Sequence, residues 1–264
     1  MQTTDTMKKI TITLIMLLAV LFTVKSSSPM GKTWVVFVGN SEYEVYEDLH
    51  ETERDIKLMK SALDNYIIDS IIYKQNMTKE QMEEFFNVSL QEKIIDNEVK
   101  SLMIWYAGHG KYIDNVGYWL PVDARVEKIS TLYNINYLRE ALLSYSENLK
   151  HTLVVTDACE SGPAFYQAMR SIPQNRHCDE ITVTRYSSSQ TLVSSGYEFS
   201  PEPSIFTRTF ATLLTHNINP CLPIENVVNQ LIMAASRNNQ PIPRFGKITG
   251  MQDEGGTFFF IKKQ

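Results

Sequence analysis

Six short apolar runs, separated by stretches with helical periodicity, govern what this chain can fold into. They are Trp-Val-Val-Phe-Val at 34–38, Ser-Ile-Ile-Tyr at 70–73, Ser-Leu-Met-Ile-Trp-Tyr at 101–106, Thr-Leu-Val-Val-Thr at 152–156, Thr-Leu-Val-Ser at 191–194 and Thr-Phe-Phe-Phe-Ile at 257–261. The first, short and continuously apolar and ending in Gly39-Asn40, suits a parallel strand buried on both faces, and the others read as further strands. Between them, residues 52–66 carry Ile56, Met59, Ala62 and Leu63 at helical spacing. Thr78 opens another helix with Gln81 three positions on, a capping-box pattern, and Met82, Phe85 and Phe86 form its inner face. Residues 137–145, 204–215 and 224–236 complete the predicted helices. Strands alternating with helices of this length predict an α/β fold, a parallel sheet covered on both faces.

The first 28 residues read differently. Lys8 and Lys9 precede an apolar stretch over 10–24, then Lys25 and a Ser-Ser-Ser-Pro segment. A basic start, a short apolar centre and a small polar exit describe a secretory signal peptide, and the stretch is shorter than a membrane-spanning helix needs. No clean A-x-A cleavage site follows, so an uncleaved N-terminal membrane anchor is the alternative. The chain is thus expected to be exported, with one domain over 32–264. The whole chain has 264 residues, 43% hydrophobic and 21% charged, with a formal net charge of −5. That composition is globular, and without a basic footprint it argues against nucleic acid as a partner. Of the three cysteines, Cys178 and Cys221 could pair and leave Cys159 reduced, a point that spacing alone does not decide. Asn76-Met77-Thr78 and Asn87-Val88-Ser89 fit the glycosylation pattern.

Two strands end in unusual settings. One runs into Ala107-Gly108-His109-Gly110, the other into Asp157-Ala158-Cys159-Glu160-Ser161-Gly162. Ligands in open α/β sheets gather at the carboxyl ends of strands, so neighbouring strands would set His109 and Cys159 on one rim. A cysteine attacks as its thiolate, and a nearby imidazole stabilises that form and later protonates the leaving amine. The backbone N–H groups of Gly110 and Cys159 would face the developing oxyanion. Cys178 and Cys221 have no such setting and read as structural.

These residues resemble a known family. Trp105-Tyr-Ala-Gly-His-Gly110 and Val155-Thr-Asp-Ala-Cys-Glu-Ser-Gly162 are similar to the His and Cys motifs of the caspase, metacaspase and legumain group, and the His precedes the Cys by 50 positions, about the caspase separation. Val38-Gly-Asn-Ser-Glu-Tyr43 with Asp55, the stretch from Ser188 to Gly196 that includes Ser194 and Ser195, and Ser204-Ile-Phe-Thr207 resemble further parts of the same domain. The resemblance spans 32 to the C-terminus. It implies a three-layer α/β/α domain around a mostly parallel six-stranded sheet, and a Cys159–His109 dyad cleaving protein or peptide substrates without cofactor or metal.

In that group the residue two before the nucleophile lines the pocket for the side chain preceding the cut. Metacaspases place Asp there, with a second Asp from the first helix, and take Arg or Lys; Asp157 and Asp55 match those positions, and Ser194 and Ser195 match the substrate-lining strand. Two carboxylates in a partly desolvated pocket favour a cation. Ala107 departs from the Ser common in metacaspases. The arginine that caspases use to take Asp is replaced by Ser188 or Ser189, with Arg185 nearby.

Cleavage after Asn or Asp, and a catalytically silent binding module, are the rival readings; a complete dyad flanked by glycines argues against the second. Asp114 and Asp123 are expected to be solvated, and Met77, Met82 and Met103 to fill the core. The stretch 170–189 is expected to be irregular, with Arg170, Arg176 and Arg185 as targets for self-processing. Phe258, Phe259 and Phe260 would form an apolar edge strand able to pair two copies if uncovered, although the resemblance favours a monomer.

Overall fold

In the computed structural model, residues 28–158, 173–195 and 204–264 are described in full and residues 166–168 by their backbone. The central sheet is built from β1 (Thr33–Gly39), β2 (Ser70–Gln75), β3 (Ser101–Ala107), β7 (His151–Asp157), β8 (Tyr166–Ala168), β9 (Ser188–Val193) and β11 (Arg244–Ile248), in the order β2-β1-β3-β7-β9-β11-β8. The first five in that order are parallel; β11 runs antiparallel to β9 and β8 antiparallel to β11. The mostly parallel six-stranded sheet is therefore present, and a short seventh strand extends its edge.

Every residue of β1, β3 and β7 is buried, because helices cover both faces. Side chains alternate across a strand. Val35 and Phe37 of β1, with Trp105 and Leu153, meet α1 (Thr52–Leu63), α5 (Ile205–His216) and α6 (Ile224–Arg237) through Ile56, Met59, Phe210 and Leu231. Val36 and Val38, with Ile104 and Val154, face α2 (Lys79–Glu84), α3 (Leu90–Asp96) and α4 (Ile135–Ser144) through Met82, Leu90 and Leu138. A single turn of π-helix at Phe85–Ser89 joins α2 to α3, and the Thr78–Gln81 capping box opens α2 as its sequence predicts. Among the described residues no helix is long and apolar enough to cross a membrane.

Three expectations are corrected. The stretch 170–189, where described, is ordered: Cys178–Arg185 forms a 3₁₀ helix opened by a capping box between His177 and Glu180, and β9 starts at Ser188. Its serines carry no apolar signal, yet they are buried with their bonds made internally. Ser188 Oγ meets His151 Nδ1 at 2.9 Å, and Ser189 Oγ donates to Gln252 O. The apolar strand at the C-terminus is not an exposed edge. It is β12 (Phe259–Ile261), paired with β10 (Cys221–Pro223) and flanked by a Tyr66–Lys262 bridge, and Phe258, Phe259 and Phe260 are buried in the core. Asp123 is half-buried and accepts the Lys79 backbone N–H at 2.9 Å at the start of α2, whereas Asp114 is exposed as expected. A small antiparallel sheet of β4 (Gly110–Ile113), β5 (Val116–Trp119) and β6 (Tyr133–Asn134) was not foreseen.

Cys178 and Cys221 form a disulfide across 43 positions. A cross-link closing a loop of that size stabilises a fold by about 4 kcal/mol in the chain-entropy model.

Candidate active site

The register of the sheet brings the two strand ends together. β3 and β7 are neighbours with Ala107 opposite Asp157, and the Gly108 N–H donates to Asp157 O at 3.3 Å. His109 follows that closing bond directly. Cys159, two positions after Asp157, lies outside the described residues, as do residues 160–165. Gly108 is where a glycine is needed: an added Cβ would stand 2.7 Å from Tyr106 Oη and 2.8 Å from Tyr43 Oη.

His109 is held at backbone and ring. Its N–H donates to Tyr43 Oη at 2.8 Å, and its carbonyl accepts from Tyr106 Oη at 2.8 Å and from the Leu120 N–H at 3.0 Å. Its Nε2 lies 2.7 Å from Glu47 O. A carbonyl oxygen can only accept, so Nε2 carries a proton, and in the neutral ring the lone pair is then on Nδ1. The Tyr43 ring packs against the imidazole at 4.7 Å between centroids and Tyr46 at 6.0 Å. The Leu120–His109 bond makes those residues a hydrogen-bonded pair at the start of the β4–β5 ladder. By antiparallel alternation Gly110, opposite Trp119, is then a non-bonded position with its N–H turned away from β5. The other described histidine of the sheet, His151, stands at the opposite end of β7, fully buried. Burial pushes its pKa down to about 4, against the Thr184 carbonyl that holds its ring at 3.1 Å.

Asp55 and Asp157, 102 positions apart in the chain, meet at the N-terminus of α5. Asp55 Oδ2 accepts the Ser204 backbone N–H at 3.0 Å. Asp157 Oδ2 accepts from Ser204 Oγ and Thr207 Oγ1, each at 2.5 Å. Both aspartates are buried. Burial is the main cause that raises the Asp55 pKa to about 6; the Ser204 N–H opposes it, the Asp157 charge adds to it, and Arg208 opposes it. Burial likewise raises Asp157, against the hydroxyls of Ser204, Thr207 and Ser194. Arg208 Nε stands 3.6 Å from Asp55 Oδ1, and its Nη2 reaches Glu51 at 3.2 Å.

Ser194 and Ser195 follow β9 on the same rim, both buried; Ser194 N–H donates to Thr156 O, and Ser195 Oγ donates to Ala158 O at 3.1 Å. Arg185 is corrected away from this rim, because it precedes β9 at the end where Ser188 pairs with His151; Ser188 and Ser189 share that far end. Among the self-processing candidates, Arg176 is half-buried and its guanidinium bonds Glu225 at 3.3 Å, Arg185 is exposed, and Arg170 lies outside the described residues. Among the described residues no group of three or more His, Cys, Asp or Glu is arranged to hold a metal ion.

Residue-type reasoning missed the Glu47 carbonyl, since a backbone acceptor leaves no mark in the sequence. It also passed over Tyr43, Tyr106 and Arg208, whose side chains matter here only through where the fold puts them.

Comparison with known proteins identifies the family and the fold. The sequence profile described as Caspase domain matches residues 32–247. The crystal structure of caspase-1 from Spodoptera frugiperda superposes with a TM-score of 0.60 at 12% identity, covering 87% of this chain and 94% of that one; at that identity the likeness speaks for the fold alone. No curated protein matches the chain. The chain belongs to the caspase-domain family of cysteine peptidases.

Proposed function

We propose that the protein is a cysteine endopeptidase in which Cys159 attacks the peptide carbonyl and His109 manages the proton, with cleavage after Arg or Lys. The observation that carries this reading is the anchoring of His109 through Nε2 to the Glu47 carbonyl, which in the neutral ring leaves the Nδ1 lone pair for a thiol, on a residue that follows the strand next to the one running into Cys159. Nδ1 takes the thiol proton and the thiolate adds to the carbonyl carbon. The oxyanion is met by the backbone N–H groups of Gly110 and Cys159, a role supported for Gly110 by its N–H not being spent on the β4–β5 ladder. As the C–N bond breaks, the imidazolium returns the proton to the leaving amine. Water then hydrolyses the thioester, with the imidazole acting as base.

Specificity for a basic residue is supported by the two buried carboxylates converging beside that rim. The test is a set of fluorogenic peptides differing only in the residue before the bond. Arg and Lys should exceed Asn and Asp by at least about tenfold, the scale of a charge-assisted hydrogen bond. Preference for Asn or Asp would transfer the assignment to a legumain-type or caspase-type pocket. A protein that turns over no peptide and labels with iodoacetamide no faster than free cysteine would be the silent binding module.

Export belongs to the same proposal. Beyond the leader, it is supported by the Cys178–Cys221 disulfide, since such bonds persist in oxidising compartments. Mature protein collected outside the cytoplasm should begin near residue 28, by N-terminal mass; full-length protein confined to the cytoplasm would refute it.

A further inference from the structure

The contacts to the N–H and the ring nitrogen of His109 come from a segment with neither helix nor strand. Residues 41–49 supply Tyr43, which takes the His109 N–H, and Glu47, whose carbonyl takes Nε2. An imidazole can be no better placed than the loop that holds it, so the question is what holds the loop.

One side chain does so from outside. Asn76 Oδ1 accepts the Ser41 N–H at 2.9 Å, the Ser41 hydroxyl at 3.2 Å and the Glu42 N–H at 3.2 Å, gathering the donors at the root of the loop onto one oxygen. Asn76 is itself anchored: it follows β2, and its N–H donates to Gly39 O at 2.9 Å. Its φ is 50°, in the left-handed region, where asparagine is among the few side chains accommodated readily. Within the loop, Asp48 Oδ1 takes the Tyr43 N–H at 2.8 Å and Ser41 O takes the Leu49 N–H at 2.8 Å, so that the two ends meet over Asn76. Asn40, fully buried, ties the same corner from the other side, accepting the Met77 N–H and donating to Leu120 O.

We propose that Asn76 is a positioning residue of the reaction, setting the orientation of the His109 imidazole through the Tyr43 and Glu47 contacts of the loop it roots. The proposal rests on the dyad reading above. It requires an acceptor oxygen at position 76 and a backbone able to hold positive φ, and these two requirements separate by substitution. Asn76→Gly keeps the backbone and removes the oxygen; Asn76→Asp keeps both.

In the full-length protein, Asn76→Gly should lower kcat on an arginyl peptide by about 10- to 100-fold, the usual cost of a misplacement near 1 Å, with KM within about twofold. It should also displace the pH dependence of Cys159 alkylation by iodoacetamide, because that profile reports the thiol–imidazole pair. Asn76→Asp should recover kcat to within about threefold. A glycine variant with wild-type kcat and alkylation profile, whatever its melting temperature, would overturn the proposal, as would an aspartate variant as impaired as the glycine one. Should the glycine variant not fold, Ser41→Ala removes only the hydroxyl arm and should still lower kcat by about two- to fivefold; an unchanged kcat there also counts against it. Failure of the dyad reading registers separately, as peptide turnover that survives Cys159→Ala.

Discussion

Alanine in place of Cys159 is expected to reduce peptide hydrolysis by at least about 10⁴-fold, to the level of contaminating activity, since no other group in the proposal forms the acyl intermediate. His109→Ala should cost about 10²- to 10⁴-fold, the range of a lost general acid and base. The two losses should not add, because thiol and imidazole act as a unit. Both residues follow the ends of buried strands, so far-UV circular dichroism and the melting transition should stay close to wild type. The measurement is initial rates on one fluorogenic arginyl peptide, with the double variant alongside. Retained turnover in Cys159→Ala would end the assignment, and retained turnover in His109→Ala would move the base elsewhere.

The second large effect concerns the carboxylate pair. Asp157→Asn keeps an oxygen for Ser204 and Thr207 but removes the charge, and kcat/KM for an arginyl peptide should fall about 10- to 150-fold, corresponding to about 1.5–3 kcal/mol for a hydrogen bond to a charged group. A peptide with a neutral residue at the same position should lose far less. Asp55 adds a pH signature. Its pKa is raised to about 6, so it is ionised above that pH and takes up a proton as pH falls through it. The pocket then loses one negative charge, and KM for the arginyl peptide should rise below pH 6 while that for the neutral peptide stays level. Asp55→Asn should show the weaker affinity at every pH and lack the inflection. Parallel profiles for the two peptides in wild type would mean that Asp55 does not face the substrate and serves to hold the start of α5.

Much of this arrangement is legible in the amino-acid sequence. The apolar runs at 34–38, 101–106 and 152–156 mark three strands buried on both faces, because a strand covered on both sides needs no polar alternation. Gly-His-Gly and Asp-Ala-Cys announce the rim because each interrupts such a strand. The polar strand β9 was only half visible: Ser188 and Ser189 read as loop residues until His151, Asp253 and Gln252 supply their partners. The β4–β6 sheet was hidden for the opposite reason, since its strands are two to four residues long and only partly buried. Asn76 could be read only as a glycosylation pattern, because its φ and its three donors exist only once β1 and β2 lie side by side. Asp55 beside Asp157 came from family resemblance, and no local periodicity would have joined residues 102 positions apart.

The Cys178–Cys221 bond has a consequence for what a nick would do to this molecule. Arg185 lies between the two cysteines, exposed at the end of the 3₁₀ helix. A chain cut after Arg185 would remain one covalent species, the piece ending at 185 still joined through Cys178 to the piece carrying Cys221, and it would part into two bands only under reduction. A cut anywhere between Cys159 and Cys178 leaves both cysteines in the same piece, and the halves then stay associated without a covalent link, through the shared sheet, where β7 of one lies against β9 of the other, and through the core and polar contacts that α1 makes with α5. Electrophoresis with and without reductant would thus read out the side of Cys178 on which a protease has acted.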